Sequence, residues 1–168
     1  MGNIWASFEK ISGVIKQVIF MKIVDYLIIG GSASGTTAAE VIRGLKPDSA
    51  ITIVTDEGHE QYSRVLLPHY MRHKVEREQV FMKKPEWYVE KHIELIKGLR
   101  AKGLNSSENT VILENGEEIK YGKLLISVGG YPVKLNTQGA DLPNVLYMRT
   151  VEDADRIIDL SSKSKKGV

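Results

Sequence analysis

An α/β fold, with a mostly parallel sheet and a small antiparallel β excursion, is the fold class this sequence predicts, and three observations predict it. The first is residues 23–56, where an apolar run, IVDYLII, enters Gly30-Gly31-Ser32-Ala33-Ser34-Gly35, a helix-prone segment follows, and a second apolar run ends at Asp56. That order is a strand–helix–strand unit with a glycine-rich first turn, as in Rossmann-like sheets. The second is TVILENGEEIKY, where Asn115-Gly116 separates two short β runs and predicts a hairpin whose turn residues both tolerate positive φ. The third is Lys123–Val128, an apolar strand that stops at Gly129-Gly130.

Residues 1–20 differ from the rest. Ile4, Phe8, Ile11, Ile15 and Val18 form one apolar helical stripe, but Glu9, Lys10, Lys16 and Gln17 interrupt it. The stretch is therefore neither a transmembrane helix nor a signal peptide. Three readings compete: an amphipathic helix docking on a membrane surface or partner, a helix packed on its own domain, or an extension before a natural start at Met21. We favour the last and take residues 1–20 as an amphipathic N-terminal extension, with membrane contact confined to them if there is any.

The first strand, residues 23–29, is apolar except for Asp25, which suits a strand covered on both faces. A helix follows from about Ala33 to Leu45 and stops at Lys46-Pro47-Asp48, because the residue before proline disfavours helical geometry. Residues 50–55, AITIVT, give the second strand. The stretch DEGHEQYSRVLLPHYMRHK then gives a polar loop leading into a short helical segment, and residues 86–92, EWYVEKH, read as another short helix. Strands are expected at Ile93–Ile96 and Leu99–Leu104, and Thr150-Val151-Glu152-Asp153 predicts a capping box opening a helix to about Ser161.

Composition narrows the function. The 168 residues are 42% hydrophobic and 26% charged, as in an ordinary globular protein long enough to bury a core. A formal net charge of +2 argues against nucleic acid as a partner, and Lys163, Lys165 and Lys166 make only a short solvated tail. The absence of cysteine excludes disulfides, thiolate metal sites, a cysteine nucleophile and dithiol redox chemistry, and it fits a cytoplasmic location. His59, His69, His73 and His92 lack metal-ligand spacing, so no metal is expected.

In a dinucleotide-binding turn the first glycine permits the tight turn, the second lets backbone approach phosphate, and the third lets helix and strand pack closely. Gly30 and Gly35 hold the first and third places, and Ser32 the second. Its side chain crowds the phosphate approach, while its hydroxyl can donate a hydrogen bond. At the end of the second strand a carboxylate would accept from a ribose hydroxyl, and either Asp56 or Glu57 can take that place.

Four motifs in order, YLIIGGSASGTTAAE, YSRVLLP, the long stretch IELIKGLRAKGLNSSENTVILENGEEIKYGKLLISVGG, and GADLPNV followed by LYMRTVEDA, resemble the FAD-binding domain of the pyridine nucleotide-disulfide oxidoreductase superfamily. The resemblance covers about residues 23–168 and is greatest to the cysteine-free branch of ferredoxin and rubredoxin reductases, NADH oxidases and the flavin domain of nitrite reductase. It implies FAD as cofactor, held by Gly30, Gly31, Ser32, Ala33, Ser34 and Gly35 at the pyrophosphate and by Asp56 or Glu57 at the ribose. Arg64 would lie near the pyrophosphate, adenine would meet backbone near Ala101, and Ser127 and Gly129 would approach the cofactor closely. Val65 stands for the family's usual proline and Val128 for a threonine. The last motif is assigned no ligand and no residue is assigned as catalytic, since the flavin carries the chemistry.

The resemblance also implies that residues 21–168 are the N-terminal part of an FAD-binding domain, ending before the NAD(P)H domain. Electrons would pass from NAD(P)H through FAD to an acceptor only with the missing domains supplied, so this chain by itself would be an inactive, incomplete fragment. Alternatives stay open: a nucleotide-binding partner subunit completed by another chain, a non-catalytic Rossmann-like remnant, or NAD(P) in place of FAD.

Overall fold

The computed structural model describes residues 21–167. The amphipathic stripe of residues 1–20 lies outside them. One six-stranded sheet runs in the order β3-β2-β1-β6-β5-β4. Its strands are β1 (Lys22–Ile29), β2 (Ile51–Val54), β3 (Ile93–Ile96), β4 (Ala101–Asn105), β5 (Thr110–Leu113) and β6 (Glu118–Ile126). The helices are α1 (Ala33–Leu45), α2 (Leu67–Met71), α3 (Pro85–Glu90) and α4 (Val151–Lys163).

β3, β2, β1 and β6 are mutually parallel, and β4 and β5 add an antiparallel excursion. This is the predicted Rossmann-like class. The two β runs read on either side of Gly122 are one strand: β6 pairs along its length with β1, from Lys22↔Ile119 to Ile29↔Ile126, while only its first residues pair with β5. A Cβ on Gly122 would stand 2.9 Å from the Asp25 carbonyl oxygen, so the point where β6 passes from two partner strands to one takes a residue without a side chain.

The sheet separates two apolar layers. One gathers Val24, Leu27, Ile29, Val54, Val111 and Ile119. The other sets Ile28, Ile51, Ile53 and Ile93 against Ala39 of α1 and Tyr88 of α3. All four residues of β2 are buried, as a strand covered on both faces requires. A third cluster, Tyr62, Leu67, Val80, Val151 and Ala154, fastens the segment around α2 to α4.

Local chemistry sets the element ends. α1 ends at Lys46, whose N–H donates to the Ile42 carbonyl before Pro47. α4 opens on the predicted capping box, with Thr150 accepting from the Asp153 N–H and the Asp153 carboxylate accepting from the Thr150 N–H. The hairpin turn departs from its prediction. Gly116 has φ +87°, whereas Asn115 does not adopt positive φ and instead accepts from the Glu117 N–H at 3.0 Å. An asparagine side chain that closes its own turn removes the need for two left-handed residues.

Although Lys123–Val128 is an apolar run, Leu125, Ile126 and Val128 are exposed. Beyond Tyr121 the outer edge of β6 has no strand beside it among the described residues.

Candidate functional site

The β1–α1–β2 connection leaves β1 toward one side of the sheet, and β6 lies on the other. Crevices at such reversals, outside the carboxyl ends of the strands, are where open α/β sheets bind ligands. Here the crevice is a cavity of about 230 Å³. Its wall includes Gly30, Gly31 and Ser32 after β1, Asp56 and Glu57 after β2, Arg100 and Ala101 at β4, Ser127 and Val128 after β6, and Arg64, Tyr131 and Arg149.

Of the residues singled out in the sequence, Gly30, Gly31, Ser32, Asp56, Glu57, Arg64, Ala101 and Ser127 therefore meet at one place. Ala33, Ser34, Gly35 and Gly129 do not line the cavity. Ala33 and Ser34 face solvent on the first turn of α1. Gly35 is buried against the turn itself: a Cβ there would overlap the Gly30 carbonyl oxygen. Gly129 is exposed, with φ +67° and open space where a Cβ would stand.

Internal packing explains the glycines. A Cβ on Gly30 would overlap the Ser127 carbonyl, and one on Gly31 would press on Thr55 at 3.1 Å. Ser127 Oγ lies 3.2 Å from the Ile29 carbonyl oxygen and 3.3 Å from that of Gly30. Its hydroxyl thus donates into the turn and locks the end of β6 to the end of β1. The Thr36 hydroxyl donates to the Gly31 carbonyl at 3.2 Å from the other side. The turn is rigid before any ligand is considered.

The first intrahelical bond into the turn runs from Thr36 N–H to Ser32 O, so the N–H groups ahead of it have no partner within α1. Ser32 is the N-cap, and its side chain makes no cap hydrogen bond. Helix N-termini of this kind favour negative charge.

Two carboxylates and three guanidiniums line the cavity. Glu57 Oε1 accepts from Arg64 Nη2 at 2.5 Å, and Glu57 Oε2 accepts from the Tyr62 hydroxyl at 2.6 Å. That hydroxyl accepts in turn from Arg64 Nη1 and from the Val151 N–H. Burial, and then the bond to the charged Glu57, push the Tyr62 phenol above its ordinary range. Asp56 Oδ2 accepts from Arg100 Nη2 at 3.0 Å.

Arg149 is left over. Its Nη2 donates to the Val128 carbonyl at 3.2 Å, while its Nη1 is buried without a partner. A buried guanidinium N–H without an acceptor is rare; here the guanidinium stacks on the Tyr131 ring and its residue lines the cavity. A diphosphate fits there: an unpaired donor, the positive end of α1, and an excess of one guanidinium over the carboxylates converge on the same cavity.

Sequence reasoning missed Arg149, Arg100, Tyr131 and the linking role of Tyr62. A basic residue just before a capping box was the only available signal for Arg149. His69 stands apart from the cavity. Trp87 and Tyr88 pack edge to face at 4.9 Å against the sheet. Among the described residues no group of three or more His, Asp or Glu could hold a metal ion, and no helix is long and apolar enough to cross a membrane.

The family pattern described as pyridine nucleotide-disulphide oxidoreductase matches residues 24–166. The NADH-dependent phenylglyoxylate dehydrogenase subunit epsilon of Aromatoleum evansii is 29% identical, over 85% of this chain and 34% of its own length. The chloroplastic/mitochondrial monodehydroascorbate reductase of Arabidopsis thaliana is 30% identical, over 84% of this chain and 32% of its own. The crystal structure of NADH:rubredoxin oxidoreductase from Clostridium acetobutylicum superposes with a TM-score of 0.78 at 28% identity, covering 84% of this chain and 36% of that one. The chain thus spans about a third of the length of these relatives.

Proposed function

The chain belongs to the pyridine nucleotide-disulphide oxidoreductase family, and from that premise we propose that it is the FAD-binding portion of an NAD(P)H-dependent flavoprotein oxidoreductase. The observation that carries this reading is the unpartnered Nη1 of Arg149 in the same cavity wall as the N-terminal turn of α1. Bound FAD would supply the redox chemistry, taking up a hydride from NAD(P)H and releasing electrons to an acceptor. The chain's own residues bind and orient: the α1 amides and Arg149 hold the diphosphate, Arg64 flanks it, Asp56 or Glu57 accepts from a ribose hydroxyl, and the backbone near Ala101 meets adenine.

Residues 21–168 act in this reading as one part of an FAD domain, with the nicotinamide site supplied by polypeptide of the kind that makes up the remaining two thirds of the relatives. A cavity of about 230 Å³ supports it, because pockets that enclose drug-sized ligands run to roughly 300–1,000 Å³. The fragment should hold FAD weakly and lack oxidoreductase activity by itself. Its cysteine-free composition supports a cytoplasmic setting and electron transfer to a redox partner without a dithiol.

A second reading is favoured by the exposed Leu125, Ile126 and Val128 at the end of β6: the chain is a nucleotide-binding partner subunit completed by another polypeptide. Co-purification of a second chain carrying its own glycine-rich NAD motif would distinguish it.

The test is a thermal melt of the purified chain with saturating FAD, NAD or NADP. FAD should raise Tm most, since a ligand of the native state must stabilise it. A Tm indifferent to all three would leave a non-catalytic remnant, and a larger rise with NAD or NADP would replace FAD by that nucleotide. A stoichiometric, slowly released yellow cofactor would refute the incomplete cradle.

A further inference from the structure

Tyr131 belongs to the irregular segment between β6 and α4, yet both its edge and its face are engaged. Its hydroxyl donates to Asp56 Oδ2 at 3.1 Å and accepts from Arg100 Nη2 at 3.3 Å. The face of its ring carries the Arg149 guanidinium, whose carbon is 3.7 Å from the ring centroid. The ring therefore spans the cavity mouth, from the carboxylate after β2 to the guanidinium before α4.

This position conflicts with the ligand chemistry of the site. Asp56 Oδ2 already accepts from two donors, Arg100 and Tyr131. A sugar hydroxyl that reached the same oxygen would compete with them. The ring also covers one face of the Arg149 guanidinium, whose N–H donors lie in the guanidinium plane.

Tyr131 is free to leave. It is 65% exposed, and it follows Gly129 and Gly130, both with open space where a side chain would stand. Gly129 sits at φ +67°, where glycine alone moves without strain. Arg149, by contrast, is held by the Val128 carbonyl and has a buried Nη1.

We propose that Tyr131 is a latch across the cavity mouth, tied to Asp56 and Arg100, that a dinucleotide displaces in order to bind. The proposal rests on the dinucleotide reading given above. A latch lowers apparent affinity by the fraction of molecules in which it is open. Loosening it should therefore tighten binding, the opposite of what removing a ligand contact does.

The experiment uses the whole 168-residue chain with 3-fluorotyrosine at its seven tyrosines. The 19F resonance missing from Tyr131→Phe identifies Tyr131. Asp56→Asn should shift that resonance without any ligand, and FAD should move it toward the position of free fluorotyrosine. In stopped-flow fluorescence, Tyr131→Phe should bind FAD about threefold to tenfold more tightly than the parent chain, the net worth of one ordinary, solvent-exposed hydrogen bond. A resonance indifferent to Asp56→Asn refutes the tether. If FAD binds parent and Tyr131→Phe alike and leaves the resonance in place, the latch falls while the dinucleotide reading stands. If Asp56→Asn shifts the resonance but neither FAD nor ADP binds any variant, the dinucleotide reading fails and the latch fails with it.

Discussion

Arg64 and Glu57 meet twice inside one cavity, directly at 2.5 Å and again through the Tyr62 hydroxyl that both of them bond. The guanidinium is thus fixed by two of its nitrogens in the cavity wall. A flexible lysine ammonium cannot reproduce that fork. Arg64→Lys should weaken FAD binding by about tenfold to a hundredfold, the range for a lost hydrogen bond to a charged group. Fluorescence titration of FAD against both proteins checks it, and affinities within twofold would remove Arg64 from the site.

Two glycines of α1 should respond oppositely to the same substitution. Gly35→Ala places a methyl group into the Gly30 carbonyl and should cost about 3 kcal/mol or more, as overpacking of a rigid turn does. Gly44 lies in the last turn of the same helix, where a methyl group would meet nothing outside its own stretch of helix. Gly44→Ala should stabilise by about 0.5–1 kcal/mol through helix propensity and reduced unfolded-state entropy. Urea unfolding of the two variants measures both, and equal effects would contradict the packing described.

Ile28 and Leu125 are neighbours in register across β1 and β6. Ile28 is fully buried under α1, while Leu125 is 38% exposed. Ile28→Ala should cost about 2–5 kcal/mol and Leu125→Ala less than about 1 kcal/mol. A large loss for Leu125→Ala, measured by denaturant titration of the isolated chain, would mean that something covers this end of β6.

Tyr62 gives the fold an alkaline limit. Burial and then the bond to Glu57 raise its folded pKa above the unfolded value. The neutral phenol is therefore the form that folding favours. Its contribution is complete below the ordinary phenol pKa of about 10 and is lost as pH rises through the folded value. Stability should fall above about pH 10, and Tyr62→Phe should flatten that fall while lowering stability near neutrality by about 1–3 kcal/mol. Absorbance titration at high pH should show one late-ionising tyrosine fewer in the variant.

Much of the fold was legible because it is written in short-range chemistry. The apolar runs at residues 23–29 and 50–55, the glycine turn between them, Pro47 after α1 and the Thr150–Asp153 box each constrain a few neighbouring residues, and each lies where it was expected. The hairpin was legible in place but not in type, because the Asn115 side chain closed the turn by a bond that residue identity does not specify. The exposure of Leu125 and Ile126 was not legible, because an apolar strand reads the same whether or not another element lies against it.

The sequence by itself determined the parallel strand–helix–strand unit, the antiparallel excursion and a set of polar residues near the strand ends, because periodicity, turn chemistry and capping act within a few residues. Only the tertiary structure decided which of them share a cavity. It joined Glu57 to Arg64, tied Asp56 to Arg100 and Tyr131, spent the Ser127 hydroxyl on the turn, and left Arg149 Nη1 without a partner. Those pairings link residues up to 98 positions apart, and packing, not local propensity, brings such residues within bonding distance.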